Sequence, residues 1–246
     1  MNIVAITQAR ISSSRLPGKV LKPLGSKTVL DLHLKRIKQS RFINSIIVAT
    51  TEEPDSTIIE QIALNNNTIC FHGSLDDVLD RFYKACEGMK PDYVVRLTSD
   101  CPLIDPEYID DLIQKYLQSK KDYGSNCLNP TLPDGMDAEI FTFSALKNAW
   151  IGAVKKSERE HVTPFIRESG QFSVLSVEYE NDWSKYRLTL DTLEDYELLK
   201  ILVSECGEDA PVKTYVDFLN DHQDILKINS KFERNEGYTK SLNEDS

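Results

Sequence analysis

Ile3-Val4-Ala5-Ile6-Thr7, followed by Gln8-Ala9-Arg10-Ile11-Ser12-Ser13-Ser14-Arg15-Leu16-Pro17-Gly18-Lys19, decides how this chain folds. Ile3–Ile6 form a short apolar run that reads as a buried strand. Gln8–Lys19 hold three cations, three serines and one glycine, with no acid among them. Pro17 and Gly18 stop any helix there, so these cations belong to a loop rather than to a solvated helix face. A buried strand that opens into a cationic loop places fixed charge beyond a strand's carboxyl end, where α/β sheets bind their ligands. Backbone N–H groups around Ser12–Ser14 and Gly18 could turn toward an anion there. Arg15 could fork onto a phosphate and Lys19 could add a point charge. A multiply charged anion fits such a loop, and a nucleotide triphosphate is the commonest. The loop is not a Walker A motif, because Gly18-Lys19 runs on into Val20 with no GxxxxGK[ST] spacing.

Outward from that loop, apolar runs alternate with helical periodicity. Strands are predicted at Ile3–Thr7, Ser45–Thr50, Thr68–His72, Tyr93–Thr98 and Tyr123–Asn126. Helical patterns lie between them at Thr28–Gln39, Ser56–Asn65, Asp76–Glu87 and Pro106–Gln118. Their starts carry capping chemistry, with Asp55 before Ser56, Ser74 before Leu75-Asp76-Asp77, and Asp105 before Pro106. Strands separated by helices of this length imply βαβ units and a mainly parallel sheet covered on both faces, an α/β fold. After residue 137 the pattern becomes mixed. Ala138–Thr142 and Ser173–Val177 alternate as antiparallel strands would, Tyr186–Leu190 reads as another strand, and helical patterns follow at Thr192–Cys206 and Thr214–Asn220. No linker-like composition divides the chain. It reads as one domain over residues 1–228, with a nucleotide-binding half (about 1–130) and an acceptor or dimerisation half (about 131–228). Residues 229–246 read as a polar, mobile tail.

The 246 residues carry a net charge of −10, which opposes general nucleic-acid or anionic-membrane binding. The charge is uneven: residues 1–41 hold nine cations against the single acid Asp31, or +8, which leaves −18 for the rest. Lys35, Arg36, Lys38 and Arg41 read as the solvated face of a helix. No apolar run reaches transmembrane length, and from the passage of Met1-Asn2 straight into a strand no secretory signal is expected. The five cysteines are widely spaced, with no zinc-like pairing and no disulfide framework. A reduced, cytoplasmic protein is expected.

Two acids stand at the ends of predicted strands on the edge that carries the cationic loop. Asp100 follows Tyr93–Thr98, where a carboxylate could hold a Mg²⁺ bridging phosphate oxygens. Asp191 follows Tyr186–Leu190. Taken alone, Asp191 could be the N-cap of the next helix, with Glu194 completing a capping-box-like pair. Two acids beside one cationic loop make a metal-plus-triphosphate site more coherent than either acid alone. In the second half, Asp134-Gly135-Met136-Asp137-Ala138-Glu139 is a turn into a strand, and Glu158-Arg159-Glu160-His161-Val162-Thr163-Pro164 opens a short helix. Asp137, Arg159 and His161 could meet an acceptor's hydroxyls or carboxylate. The plainer readings there are a turn signal and a hydrogen-bonded structural histidine.

QARISSSRLPGKVLKPLGSK, FHGSLDDVLDRF, VVRLTSDCPLIDPE, DGMDAE, EREHVTPFI and RLTLDTLEDY, in this order over about residues 2–205, resemble the spore-coat polysaccharide biosynthesis type of cytidylyltransferase. That group is similar to the acylneuraminate and 3-deoxy-manno-octulosonate cytidylyltransferases. Gln8 stands where those two groups usually have proline, which suits the spore-coat subgroup. The resemblance implies a Rossmann-like nucleotide-diphospho-sugar transferase fold of the GT-A type, with CTP as donor, Mg²⁺ as cofactor and a homodimer. It gives Ala9, Arg10, Arg15 and Lys19 the CTP-loop role, and Gln8, Ser14, Arg96 and Thr98 join them as nucleotide-binding candidates. It gives Asp100 and Asp191 the metal role and puts Asp137, Glu139 and His161 in the acceptor region. The expected reaction transfers CMP from CTP to a small sugar acid, of nonulosonic or 3-deoxy-ulosonic type, with release of pyrophosphate, for surface polysaccharide or glycoconjugate synthesis. Arg15, Lys19 and Asp100 would carry it. Alternatives are transfer from CTP or another NTP to a sugar phosphate or other phosphorylated acceptor, a GT-A type glycosyltransferase, and a non-catalytic nucleotide-binding module. Ser99-Asp100-Cys101 is not the DxD-like motif a glycosyltransferase would want.

Overall fold

The computed structural model describes residues 1–13 and 15–245. It contains the strands β1 (Ile3–Gln8), β2 (Pro23–Leu24), β3 (Lys27–Thr28), β4 (Ser45–Thr51), β5 (Ile69–Gly73), β6 (Tyr93–Thr98), β7 (Tyr123–Ser125), β8 (Glu139–Thr142) and β9 (Val174–Ser176). The helices of the first half are α1 (Val29–Ile37), α2 (Thr57–Asn65), α3 (Val78–Glu87) and α4 (Pro106–Ser119). Those of the second half are α5 (Phe143–Gly152), α6 (Lys156–His161), α7 (Pro164–Glu168), α8 (Leu193–Cys206), α9 (Val212–Asp221), α10 (Gln223–Leu226) and α11 (Glu236–Glu244). No helix among the described residues is long and apolar enough to cross a membrane.

Seven strands form one sheet in the order β5-β4-β1-β6-β8-β7-β9, with β2 and β3 as a separate hairpin. The first four strands run parallel. β8 is antiparallel to both β6 and β7. The chain leaves β1 toward β4 and β5, then crosses back to place β6 on β1's other side. The loops after β1 and β6 therefore splay apart at the carboxyl edge, and the crevice between them is where α/β sheets hold ligands. Ile3 and Ala5 face one core with α1, α2 and α4, while Val4 and Ile6 face another with α3 and α5. Cover on both faces explains why β1 reads as an unbroken apolar run rather than an alternating one. A third core joins the β2–β3 hairpin, Leu188 and Leu190 to α8 and α9.

Helix α1 corrects one expectation about its charged residues. Arg36 is 1% exposed rather than part of a solvated face. Its guanidinium donates to the carbonyls of Ile104 (2.7 Å), Glu208 (2.8 Å) and Ala210 (3.0 Å). A buried cation needs such saturation, and here it ties α1 to the loop before α4 and to the loop after α8. On the same helix the buried His33 bonds the Thr7 hydroxyl (2.8 Å) and the Cys101 carbonyl (2.9 Å). Burial pushes its pKa down to about 4, so it is neutral.

Two strand expectations also change. Ser173–Val177 does hold a strand, β9, but that strand pairs in parallel with β7. Tyr186–Leu190 joins no sheet and makes only an isolated bridge between Arg187 and Asp134. Its backbone donors go to two different loops, Leu188 to the Asp134 carbonyl (2.6 Å) and Leu190 to the Asp100 carbonyl (2.8 Å), so no continuous ladder can form. Finally, the segment read as a polar tail folds back onto the body. Asn229 is 1% exposed, and Ser157 donates its backbone N–H to Asp245 (2.9 Å) beyond α11.

Candidate active site

The loop after β1 is built differently from its sequence reading. The amides of Ser13 and Gly18 both donate to the Ile11 carbonyl, at 2.8 and 3.0 Å, and so are not turned toward a ligand. Ser14 lies outside the described residues. Leu16 is buried and anchors the loop. Gly18, at φ 65° and ψ 20°, turns the chain left-handed into a 3₁₀ turn at Lys19–Leu21. The loop thus offers side chains rather than amides. Gln8, Ala9, Arg10, Arg15 and Lys19 line a cleft of about 1040 Å³ along the carboxyl edge, and Arg96, Thr98 and Asp100 line it from β6 and the turn beyond. Gln8 Oε1 is buried in that lining with no hydrogen-bond partner.

Lys19 Nζ donates to Asp100 Oδ2 (2.7 Å) and to Asp191 Oδ1 (2.8 Å). The two acids picked out at strand ends therefore meet at one ammonium group. Burial disfavours the Lys19 charge, but the two carboxylates outweigh it and raise its pKa. Burial likewise works against ionised Asp100, but Lys19 overcomes it and holds that carboxyl far below the usual range. Asp191 also takes Arg15 Nη2 (2.9 Å) and Arg187 Nη2 (3.2 Å).

The capping alternative for Asp191 fails. The N-cap of α8 is Thr192, whose side chain accepts from the Asp195 amide, and Asp195, not Glu194, completes the capping box. Asp195 Oδ2 in turn accepts from the amides of Asp191 and Thr192, both at 2.9 Å. The Asp191 carboxylate is thereby spared from capping and engages Lys19, Arg15 and Arg187 in the cleft lining. Among the described residues no three His, Cys, Asp or Glu side chains gather as a metal cage. Two carboxylates that already converge on one cation in the lining of this cleft do fit Mg²⁺, which commonly binds through one or two carboxylates plus substrate phosphates.

The second half supplies the opposite wall. Gly135 has φ 104°, and a Cβ there would lie 2.6 Å from the Leu188 carbonyl carbon. Only glycine fits this turn, which ties Asp134 to the Arg187–Leu190 segment. Gly135→Ala is expected to lower stability by at least about 1–3 kcal/mol, read as a drop in the urea midpoint, and a variant as stable as the parent would contradict this account of the turn. Asp137 pairs with Arg234. Glu139 is fully engaged: it takes the Tyr123 hydroxyl (2.5 Å) and the Thr163 hydroxyl (2.6 Å) on Oε1 and Arg96 on Oε2. Burial favours its neutral form, but Arg96 and Arg167 outweigh it and keep it ionised.

Arg159 lines the cleft yet spends its guanidinium on Asp77 and the Trp150 carbonyl, so it braces α6 against the first turn of α3. His161 faces Ser241 Oγ (2.9 Å), and burial, with Arg96 nearby, pushes its pKa down to about 4. Between His161 and Thr163 the backbone makes a γ-turn: the Thr163 N–H donates to the His161 carbonyl (2.8 Å) around Val162 at φ 71° and ψ −53°. A buried β-branched residue in that region is strained, and the turn holds two cleft-lining side chains.

Sequence reasoning missed Arg187, Arg167 and Tyr238, which line this cleft, and Arg234, which pairs with the lining residue Asp137. Arg187 left a signal, a cation opening an otherwise apolar run that ends in an acid. The other three left none.

A family model described as Cytidylyltransferase matches residues 4–227. The chain is 37% identical over 233 residues to the spore coat polysaccharide biosynthesis protein SpsF of Bacillus subtilis (strain 168), covering 91% of this chain and 96% of that protein. Among solved structures, a cytidylyltransferase from Leptospira borgpetersenii serovar Hardjo-bovis (strain JB197) matches with a TM-score of 0.88 at 36% identity, over 92% of this chain and 97% of that one. CMP:2-keto-3-deoxy-manno-octonic acid synthetase, solved in complex with CTP, shares the fold, with a TM-score of 0.66 at 16% identity over 83% and 99% of the two chains.

Proposed function

This chain belongs to the cytidylyltransferase family, and on that premise we propose that it transfers CMP from CTP to a sugar acid of nonulosonic or 3-deoxy-ulosonic type, releasing pyrophosphate. The observation that carries the donor half is the convergence of Arg15, Lys19, Asp100 and Asp191 at the switch-point cleft. In this reading the acceptor's hydroxyl oxygen bonds to the α-phosphorus. The bond from that phosphorus to the bridging oxygen of pyrophosphate breaks, and the hydroxyl proton leaves to solvent. Arg15 and Lys19 hold the β- and γ-phosphates and neutralise the leaving pyrophosphate. A Mg²⁺ held by Asp100 and Asp191 would offset triphosphate charge and acidify the attacking hydroxyl. Ala9 and Arg10 lie toward the base and ribose. Positioning does most of the remaining work.

Unpartnered donors support an acid as the acceptor. Arg96 pairs with Glu139 and Arg167 with Glu168, yet each guanidinium leaves a buried Nε without a hydrogen-bond partner in the cleft lining. Two such donors suit a ligand carboxylate. The deciding experiment scores pyrophosphate release from CTP, ATP, GTP and UTP against a panel of sugar acids and sugar 1-phosphates. Release with CTP and a sugar acid is expected, and release confined to sugar phosphates would sink the acceptor assignment. Arg15→Ala is expected to slow turnover at saturating CTP roughly ten- to a hundredfold, toward the lower end for a donor to developing charge, because its side chain is 39% exposed. Near-normal pyrophosphate release would remove Arg15 from the leaving-group role.

A further inference from the structure

The family model ends at residue 227, yet the segment beyond it makes contacts that fall on the site. Asn229 Nδ2 anchors it, donating to Asp195 Oδ1 (2.8 Å) and to the Arg187 carbonyl (3.1 Å). From there Arg234 reaches Asp137 and the Leu132 carbonyl (3.1 Å). Glu236 Oε2 accepts from Arg15 Nη1 at 2.8 Å. The Tyr238 ring stands edge-on to His161, with 5.1 Å between centroids, and lies 5.2 Å from the Arg167 guanidinium. Ser241 Oγ bonds His161 Nε2 and Glu160 Oε2, both at 2.9 Å. In this arrangement the strap covers His161 and Arg167 on the acceptor side while a carboxylate sits on the loop cation assigned to the triphosphate.

Arg15 cannot serve both partners well. Its two terminal nitrogens are held by Glu236 and Asp191, and an arriving polyphosphate would compete for the same guanidinium while repelling the Glu236 carboxylate. We propose that residues 234–241 form the acceptor-side wall of the site and that Glu236 is its latch, so that the triphosphate displaces Glu236 from Arg15 and opens the acceptor pocket only once nucleotide is bound. Binding is then ordered, nucleotide first. Strap closure and triphosphate binding oppose each other by the same coupling seen from either side. This inference rests on the reading of Arg15 as a triphosphate ligand.

The test uses the full chain with CTP and Mg²⁺ as probes. Glu236→Gln should tighten CTP binding, measured by calorimetry, by roughly two- to fivefold, the scale of one half-exposed ion pair. Glu233→Gln removes the same charge from the same strap but leaves the Arg15–Glu236 pair in place, and should shift affinity less. In the unaltered protein, CTP with Mg²⁺ should speed amide exchange over residues 234–245, whereas CMP, which lacks the β- and γ-phosphates, should not. If CTP binds but leaves that exchange unchanged or slows it, or if Glu236→Gln binds CTP no better than the parent, the latch is wrong. If the unaltered protein fails to bind CTP at all, the functional reading falls and the latch falls with it, a result distinct from either of those.

Discussion

Asp100→Asn should cut Mg²⁺-dependent pyrophosphate release at saturating CTP by about a thousandfold, the upper end of what one preorganised electrostatic group contributes. The substitution keeps the side chain's size and removes only its charge. That charge is poised for the purpose: Lys19 lies 2.7 Å away and holds the carboxyl far down, against burial that would raise it. The group is therefore ionised at any working pH, ready for a cation and a triphosphate. The fold should survive, because Lys19 keeps Asp191 as its second partner at 2.8 Å and the Asp100 carbonyl, which accepts from Leu190, is untouched. Circular dichroism and the urea midpoint should stay near those of the parent. A folded Asp100→Asn that retained a tenth or more of parental turnover would remove Asp100 from the reaction.

The parts of this architecture that were legible in the sequence are those governed by local rules. Tyr93–Thr98 is strand β6 to the residue because it is a buried run bounded by turn chemistry. Asp105-Pro106 opens α4 as its capping pattern implies: Asp105 Oδ1 accepts from the Glu107 amide at 3.0 Å. What was not legible depended on partners distant in the chain. Arg36 has the spacing of a solvated helix face, yet the loop at residues 208–210 returns to bury it. Tyr186–Leu190 has strand composition, but the loops that receive its donors belong to residues 100 and 134. Asp191 has the sequence position of a cap, but the Thr192 side chain takes that role and Asp195 engages the amides that begin α8. The last segment is polar because it docks through ion pairs and hydroxyls rather than through an apolar face, so composition alone reads it as unattached. The acids and cations proposed for the donor site could be singled out because they stand next to strand ends. Arg167 and Arg234 sit in stretches with no local signature, and only the tertiary fold brings them to Glu139 and Asp137.

Arg187 makes the strongest stability prediction, because it is where the two halves of the site are tied. Its side chain is 7% exposed and reaches Asp134 (2.7 Å), Asp191 (3.2 Å) and Asp195 (2.9 Å). Asp195 is itself fully buried and serves the amides that begin α8. Arg187→Met preserves much of the side-chain volume but leaves these carboxylates facing one another with their shared cation gone. Removing one partner of a buried ion pair typically costs about 3–5 kcal/mol, since the remaining charges stay desolvated and unpaired. A loss of that size is a large part of the roughly 5–15 kcal/mol that holds an ordinary domain folded. Arg187→Lys should recover only part of it, because one ammonium cannot fork across three carboxylates as a guanidinium does. Urea unfolding of the two variants beside the parent tests this directly. If Arg187→Met lay within about 1 kcal/mol of the parent, in the range of an exposed pair, the carboxylates would have other compensation. Asp191 would then owe its place in the cleft to Lys19 and Arg15 alone, and turnover in Arg187→Met should persist. If the cost is as large as expected, turnover should fall with it even under conditions where the variant remains folded, because the cation that orients Asp191 from behind is the one that joins α8 to the Asp134 turn.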